Sequence, residues 1–319
     1  MVRLPRPGDA TPAPARPHFR RYRTVGLSAL VAAIAMIAVL IVTTTTSAGA
    51  PASGIPAPPS SADQALLYRA EQVAIGNCLR DKGFQYWQEP RAPAAVTDLF
   101  PYVIDDVAWA EAHGFGGRQT VAEQAKVATD PNVRYVAGLS AAEQQALGVA
   151  ENGNGPSDPG VVVTLPTGQV VGHSVRGCVA TAEGYLYGSF TAWYQASNSV
   201  TTLPSLWQAQ VVGDQRYTAA VARWAGCMRE RHQPYASPQE AADHFATAGT
   251  SQESDGDFAR EVAAATAEAR CAQSTGLGSL ARQLDTYCEN RVDTTYSTLL
   301  TTYRRLAAGA LPRARSLTQ

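Results

Sequence analysis

The sequence predicts a mainly α-helical, disulfide-containing body built from two related units with one small β-hairpin, preceded by a single transmembrane helix. Three observations predict this class. An apolar segment follows a cluster of arginines near the N-terminus, helix-capping patterns recur through the rest of the chain, and two cysteine-containing segments resemble each other. The 319 residues, of which 45% are hydrophobic and 17% charged, have the composition of a globular protein.

The transmembrane helix is predicted at residues 25–42, which form an 18-residue run without a charged side chain. Such a helix would be roughly 27 Å long, close to the thickness of the hydrocarbon core of a bilayer. The arginines that precede it are Arg16, Arg20, Arg21 and Arg23. By the positive-inside rule they keep residues 1–24 in the cytoplasm as a basic tail. We therefore predict a single-pass protein of the cell membrane with its C-terminus outside.

Secretion after cleavage is the alternative location. Small residues at Ala48 and Ala50 fit the pattern of a signal-peptidase site, and cleavage near either one would release the rest of the chain. Pro51 disfavours cleavage directly before it. In both cases residues 43–61, which are rich in threonine and proline, form an extended linker to the folded body.

Charge separates the N-terminal region from the body. Residues 1–50 carry six arginines and one aspartate, a net charge of +5, and the remainder carries 20 basic and 26 acidic residues, a net charge of −6. An acidic body argues against nucleic acid as a partner, because binding to phosphates requires concentrated positive charge.

The first unit is predicted at residues 62–200. Its first helix begins at a capping box formed by Ser61 and Gln64 and ends at Gly83. The predicted elements are helices at 61–82, 105–113 and 140–151, a hairpin at 161–171, and an aromatic-rich helix after Cys178. The other residues of 84–160 are predicted to be loops. The aromatic residues recur at helical spacing, which is typical of a core-facing helix.

The second unit is predicted at residues 201–308. Its predicted helices are 205–231, 237–248, 258–272 and 280–306. The clearest helix start is Ser237-Pro238-Gln239-Glu240, in which a capping serine, a proline at the first helical position and a glutamate follow one another. Residues 309–319 are predicted to be a disordered tail.

Two segments indicate an internal duplication. Residues 77–82 read NCLRDK and residues 226–231 read GCMRER, and a tyrosine follows each segment at the same offset. A second cysteine follows later in each unit. The repeat therefore favours the disulfides Cys78–Cys178 and Cys227–Cys271. Cys288 is left over, either as a buried thiol or as a cysteine that pairs between chains. His232 replaces Gly83 in the second copy, which lacks the helix-stopping glycine.

Four motifs carry a family resemblance. They are the Cys-Met-Arg helix end at 227–229, FPYVIDDVAWA at 100–110, the Gly-Cys…Leu-Tyr-Gly run at 177–188, and AEARC at 267–271. The chain resembles uncharacterised secreted or membrane-tethered proteins of actinobacteria over most of residues 65–290. The resemblance implies an extracytoplasmic location and a helical architecture, and it implies no activity.

No motif predicts a catalytic centre, a cofactor or a metal site. The densest polar cluster contains Asp105, Asp106 and His113. Paired carboxylates can share general-acid and general-base work, but aspartates are also ordinary helix caps. We expect a non-catalytic module of the cell envelope that binds a cell-wall component or an envelope protein. The alternative is a secreted hydrolase of unfamiliar type that uses these three residues.

Overall fold

The computed structural model describes residues 56–155, 159–246 and 254–319, which form a mainly helical protein with one two-stranded sheet. The helices are α1 (Ser61–Asp81), α2 (Val96–Leu99), α3 (Val107–His113), α4 (Gly117–Thr129), α5 (Pro131–Gly138), α6 (Ala141–Asn152), α7 (Cys178–Tyr187), α8 (Phe190–Val200), α9 (Leu203–Gly213), α10 (Gln215–Glu230), α11 (Pro238–Ala246), α12 (Asp255–Ser274), α13 (Leu277–Thr295) and α14 (Ser297–Leu317). The strands are β1 (Gly160–Thr164) and β2 (Val170–Ser174). The predicted helical class and hairpin are confirmed.

The predicted N-terminal elements lie outside the described residues. These are the basic tail at 1–24, the transmembrane helix at 25–42 and most of the linker at 43–61. Among the residues that the structure describes, no helix combines the length and the apolar character that a bilayer span requires.

One group of helices, α1, α7, α8 and α14, packs around a shared apolar core. The buried members of this core are Leu67, Ala70, Leu186, Tyr187, Trp193, Ala307, Ala310 and Ala314. The rings of Tyr187 and Trp193 stack with their centroids 3.5 Å apart, and Tyr303 stacks on the other side of Trp193 at 5.3 Å. The aromatic stripe thus belongs to the core, as its spacing predicts, although Tyr185 is exposed.

The predicted disordered tail at 309–319 is instead the last part of α14. Pro312 lies inside this helix and removes one backbone hydrogen bond. Burial of Ala310 and Ala314 offsets that loss, and Arg313 Nε donates a hydrogen bond to the carbonyl of Leu186 at 2.8 Å. Pro312 favoured a disordered C-terminal end, but the packing of α14 keeps these residues helical.

A second group comprises α3, which packs on α12 through a smaller apolar cluster, and helices α9 to α13, which surround another core. Its largest buried side chains are Trp224, Met228 and Leu277. The predicted boundary between residues 200 and 201 does not separate the two groups. Helix α3, from the predicted first unit, packs on α12, whereas α14, most of which was assigned to the second unit, packs on α1. The chain therefore crosses between the groups four times.

The two predicted disulfide pairs are present as Cys78–Cys178 and Cys227–Cys271, and Cys288 is a buried free thiol. The first half of the repeat is also present. The backbone N–H of Phe84 donates to the carbonyl of Leu79, and the N–H of Gln233 donates to that of Met228 at the equivalent position. Both helix ends therefore close in the same way.

The helices that carry the second cysteine of each unit, α7 and α12, run in different directions relative to α1 and α10. Cys178 is the first residue of α7, and Tyr187 farther along α7 donates a hydrogen bond back to Glu71 of α1, so these helices run antiparallel. Cys271 lies near the end of α12, and the indole N–H of Trp224, which precedes Cys227 by three residues, donates to the carbonyl of Glu268. Helices α10 and α12 therefore run in the same sense.

Helix boundaries differ from the prediction at several points. Asp214 interrupts the predicted helix at 205–231 because its side chain accepts from the backbone N–H of Arg216 and caps α10. Gly188, at φ +82°, ends α7 within the predicted aromatic helix. The first capping box is formed by Ser60 and Asp63, one residue earlier than predicted. Helices α4 and α5 occupy residues that were predicted to be loops.

Candidate functional site

The three predicted site residues each have a separate partner. Asp105 forms an ion pair with Arg282. Asp106 caps α3 by accepting a hydrogen bond from the backbone N–H of Trp109 at 3.0 Å. His113 Nδ1 lies 2.9 Å from Gln119 Nε2. These contacts are those of an ion pair, a helix cap and a surface hydrogen bond, and they do not form a shared acid–base pair.

Two buried glutamates of α12 hold the segment that contains these residues. Glu261 Oε1 accepts hydrogen bonds from the backbone N–H groups of Phe115 at 2.6 Å and Gly117 at 3.2 Å. Glu268 Oε1 accepts from the N–H of Ile104 at 2.9 Å. The sequence prediction missed both glutamates. Their seven-residue spacing on an alanine-rich helix was the available signal, because it places them on one face.

Burial favours the protonated form of Glu268. Only 2% of this residue is exposed, and its burial raises the pKa of the carboxyl to about 8, against the lowering effect of the Ile104 N–H. Its second oxygen, Oε2, has no hydrogen-bond partner among the described residues. A raised carboxyl pKa is common at active sites, but this group is enclosed by the core and has no solvent access. We interpret Glu268 as a structural acid.

An open groove of about 560 Å³ lies between α6 and the start of α7, and we call it the α6–α7 groove. Its apolar floor consists of Ala142, Ala146, Val149 and Ala150. Its other lining residues are Lys82, Gln145, Gly153, Asn154, Arg176 and Gly177. None of the ten lining residues is acidic, and Lys82 supplies a cation at one wall.

Covalent and steric constraints hold the walls of the α6–α7 groove together. Lys82 directly follows α1, and Arg176 lies two residues before Cys178, so the Cys78–Cys178 disulfide joins the two walls that carry the cations. Gly177 has φ +98°, and a Cβ at this position would lie 2.7 Å from the carbonyl oxygen of Glu151. The close approach of α6 to α7 therefore requires glycine there.

A smaller depression of about 350 Å³ lies along α13. Tyr287, Asn290, Arg291 and Thr294 line it, all from one helix. A surface built from a single helix offers few converging groups. Within the described ranges, no group of three or more histidine, cysteine, aspartate or glutamate side chains is placed to hold a metal ion.

No protein-family model matches the chain, and neither a curated protein nor a solved structure matches it.

Proposed function

We propose that this protein is a non-catalytic binding module of the cell envelope and that its α6–α7 groove binds an acidic peptide segment of another envelope protein. The observation that carries this proposal is the combination, in one groove, of an apolar floor, the Lys82 ammonium and no acidic lining residue. The volume of about 560 Å³ is within the range of ligand sites in proteins.

The groove favours a peptide that combines small apolar side chains with carboxylates. Alanine and valine side chains form a floor without hydrogen-bonding groups, which favours apolar contacts. The ammonium of Lys82 stands at one wall, where it can make a charge-assisted hydrogen bond to a carboxylate. Helix α7 starts next to Arg176 without a side-chain cap, and its positive end adds to the same potential.

The proposed location is outside the cytoplasmic membrane, with residues 25–42 as the anchor. Disulfides persist in oxidising compartments, and two of them are present here. The resemblance to secreted or membrane-tethered proteins agrees with this location. Alkaline extraction of membranes distinguishes the two routes, because an anchored chain stays with the lipid and a chain cleaved near Ala48 or Ala50 is released.

The hydrolase alternative has no observation in its favour. Asp105, Asp106 and His113 have separate partners, and none of them lines the α6–α7 groove. Acyl or glycosyl transfer requires a nucleophile or base positioned together with a second group at the substrate.

Binding of synthetic peptides to the full-length protein in lipid nanodiscs tests the proposal. The probe is an end-capped hexapeptide of alternating alanine and glutamate, and peptides with glutamine or lysine in place of glutamate are the comparison. We expect the acidic peptide alone to bind, with an affinity that falls as salt is added. Lys82→Gln should weaken binding about tenfold, since a charge-assisted hydrogen bond contributes roughly 1.5 kcal/mol.

Arg231→Gln is the matched control. Arg231 caps α10 at the position that corresponds to Lys82 after α1, and it does not line the groove. Equal losses in Lys82→Gln and Arg231→Gln, or binding of all three peptides, would contradict the proposal. A second arm uses cosedimentation with purified cell wall. Saturable wall binding that Lys82→Gln abolishes would replace the envelope protein by a wall component as the partner.

A further inference from the structure

Residues 102–117, which include α3, lie across α12, and we call this segment the α3 strap. Three of its backbone N–H groups donate to the two buried glutamates of α12, namely those of Ile104, Phe115 and Gly117. At the surface, Glu111 forms an ion pair with Arg270 in which both side chains are about half exposed, so this pair contributes little. The strap contains no cysteine. Non-covalent contacts alone therefore hold it on α12.

Neither end of the α3 strap is anchored by a deeply packed helix. Helix α2 precedes the strap and contains no buried residue. Helix α4, which begins where the strap ends, also contains none. The strap can therefore lift from α12 without breaking the core packing of the helix before it or the helix after it.

The opposite side of Glu268 is fixed in place. The Cys227–Cys271 disulfide ties α10 to α12 three residues beyond Glu268. Trp224 of α10 is fully buried and donates its indole N–H to the carbonyl of Glu268. Helix α13 is also close in the chain, since only two residues separate it from α12. The strap is therefore the least constrained neighbour of Glu268.

The Glu268 carboxyl is enclosed between these two sides with an incomplete set of hydrogen bonds. Its Oε1 accepts from the N–H of Ile104, whereas Oε2 has no partner among the described residues. A buried carboxylate requires donors in place of the water that it has lost, and a neutral acid requires fewer. The closed strap therefore suits the protonated carboxyl, and the carboxylate requires water on the strap side.

We propose that the α3 strap is a pH-sensitive switch, which stays closed over Glu268 while this carboxyl is protonated and lifts from α12 when the carboxyl ionises. Burial raises the pKa of Glu268 to about 8 in the closed state, and the lifted strap returns it toward the ordinary value of 4.5. Opening therefore releases one proton. Its equilibrium constant should rise about tenfold per pH unit between about pH 5 and pH 8 and change little above that. Lifting also uncovers an alanine face of α12, formed by Ala265 and Ala269.

The titratable groups around Glu268 have separate environments. Tyr217 of α10 is close enough for the charge of Glu268 to affect it. Burial, and then this charge, raises the pKa of Tyr217 to about 12, so Tyr217 stays protonated over the range of the switch. The other groups on the elements packed against α12 have contacts of their own, namely Asp105 with Arg282, Glu111 with Arg270, Asp285 with Tyr102, His113 with Gln119 and His244 with Tyr235.

Hydrogen–deuterium exchange of the full-length protein in lipid nanodiscs tests the switch. Each exchange rate is divided by the intrinsic rate at the same pH, so that the quotient reports opening. For peptides from the α3 strap, we expect this quotient to rise about tenfold per pH unit up to about pH 8 in the wild type. In Glu268→Gln it should not depend on pH. Peptides from α10 should be protected at least about tenfold more strongly than the strap, because local opening leaves α10 packed.

His113→Asn is the matched control, since it removes another titratable side chain from the same strap and should keep the pH dependence. Glu261→Gln should increase opening by a constant factor at every pH, because Glu261 holds two N–H groups of the strap. A pH dependence that persists in Glu268→Gln, or that disappears in His113→Asn or Glu261→Gln, would overturn the proposal. So would equal protection of the strap and α10, because the pH effect would then be one of global unfolding.

Discussion

His232 has φ +60°, a left-handed backbone conformation that few residues other than glycine adopt. It occupies the position that Gly83 occupies after α1, at φ +87°. The sequence predicts that the second helix end lacks a stop, but the histidine takes the same conformation and the same hydrogen bonds form around it. Histidine is among the residues that tolerate this region, at an energetic cost that glycine avoids.

His232→Gly should therefore stabilise the protein. We expect the free energy of unfolding to rise by about 1 kcal/mol, because the left-handed strain is removed. Gly83→His, the reciprocal change at the same helix position, should lower it by a similar amount. Chemical denaturation of the two variants measures both effects. An unchanged free energy in both would show that neither position is strained.

Glu268 makes stability depend on pH. Its pKa is about 8 in the folded protein, above the ordinary value of 4.5, because it is buried. The folded state therefore retains a proton that the unfolded state loses. The contribution of the neutral carboxyl is complete below about pH 4.5 and is lost as the pH rises through 8.

Glu268→Gln should remove this dependence. Relative to the wild type, we expect the variant to gain roughly 2 to 4 kcal/mol of stability between pH 5 and pH 8. The change with pH is the observable, since the amide adds a constant offset of its own. Denaturation curves at several pH values for both proteins provide the measurement. Parallel stability profiles would mean that the Glu268 carboxyl does not titrate differently in the folded and unfolded states.

At the scale of elements, α14 shows how packing overrides local signals. Gly309 and Pro312 both disfavour a continuous helix, yet the helix runs to Leu317. The alanines that face α1, α7 and α8 let the helices approach closely, which extends the apolar contact along the whole of α14. The last two turns are therefore part of the core.

Ala314→Asp tests this role of α14. Ala314 is fully buried, so the substitution places a charge in the core and should destabilise the protein by about 3 kcal/mol or more. Ser316→Asp, on the exposed side of the same turn, should be nearly neutral. Thermal unfolding of both variants makes the comparison. Equal melting temperatures would mean that the end of α14 contributes little to the fold.

At the scale of the whole molecule, the chain connects the two helix groups through its crossings rather than through a single linker. Each group contains one disulfide, and Cys288 of α13 is only 4% exposed. The disulfide that joins α1 to α7 also links the walls of the α6–α7 groove, so we expect its reduction to weaken the proposed peptide binding.

The thiol count of the intact protein follows from this arrangement. Without reductant we expect no alkylation of the native protein and one alkylated cysteine after denaturation, because four cysteines are paired and Cys288 is buried. Mass spectrometry of the intact chain measures both states, and peptide mapping identifies the pairs. Alkylation of Cys78 or Cys227 in the native protein would contradict the disulfides and the proposed oxidising compartment.

Local sequence signals were sufficient to predict most of the secondary structure of this protein. Helical spacing, the capping box of Ser140 and Glu143, and the valine-rich runs around Gly168 determined most helices and the hairpin, because these signals act over a few residues. The repeat around Cys78 and Cys227 also pointed to the cysteine pairs, although the disulfides join residues 100 and 44 positions apart. Only the tertiary structure decided which helices pack together, the burial of Glu268 and the place of α14. It also showed the α6–α7 groove, because this groove depends on contacts between residues far apart in the chain.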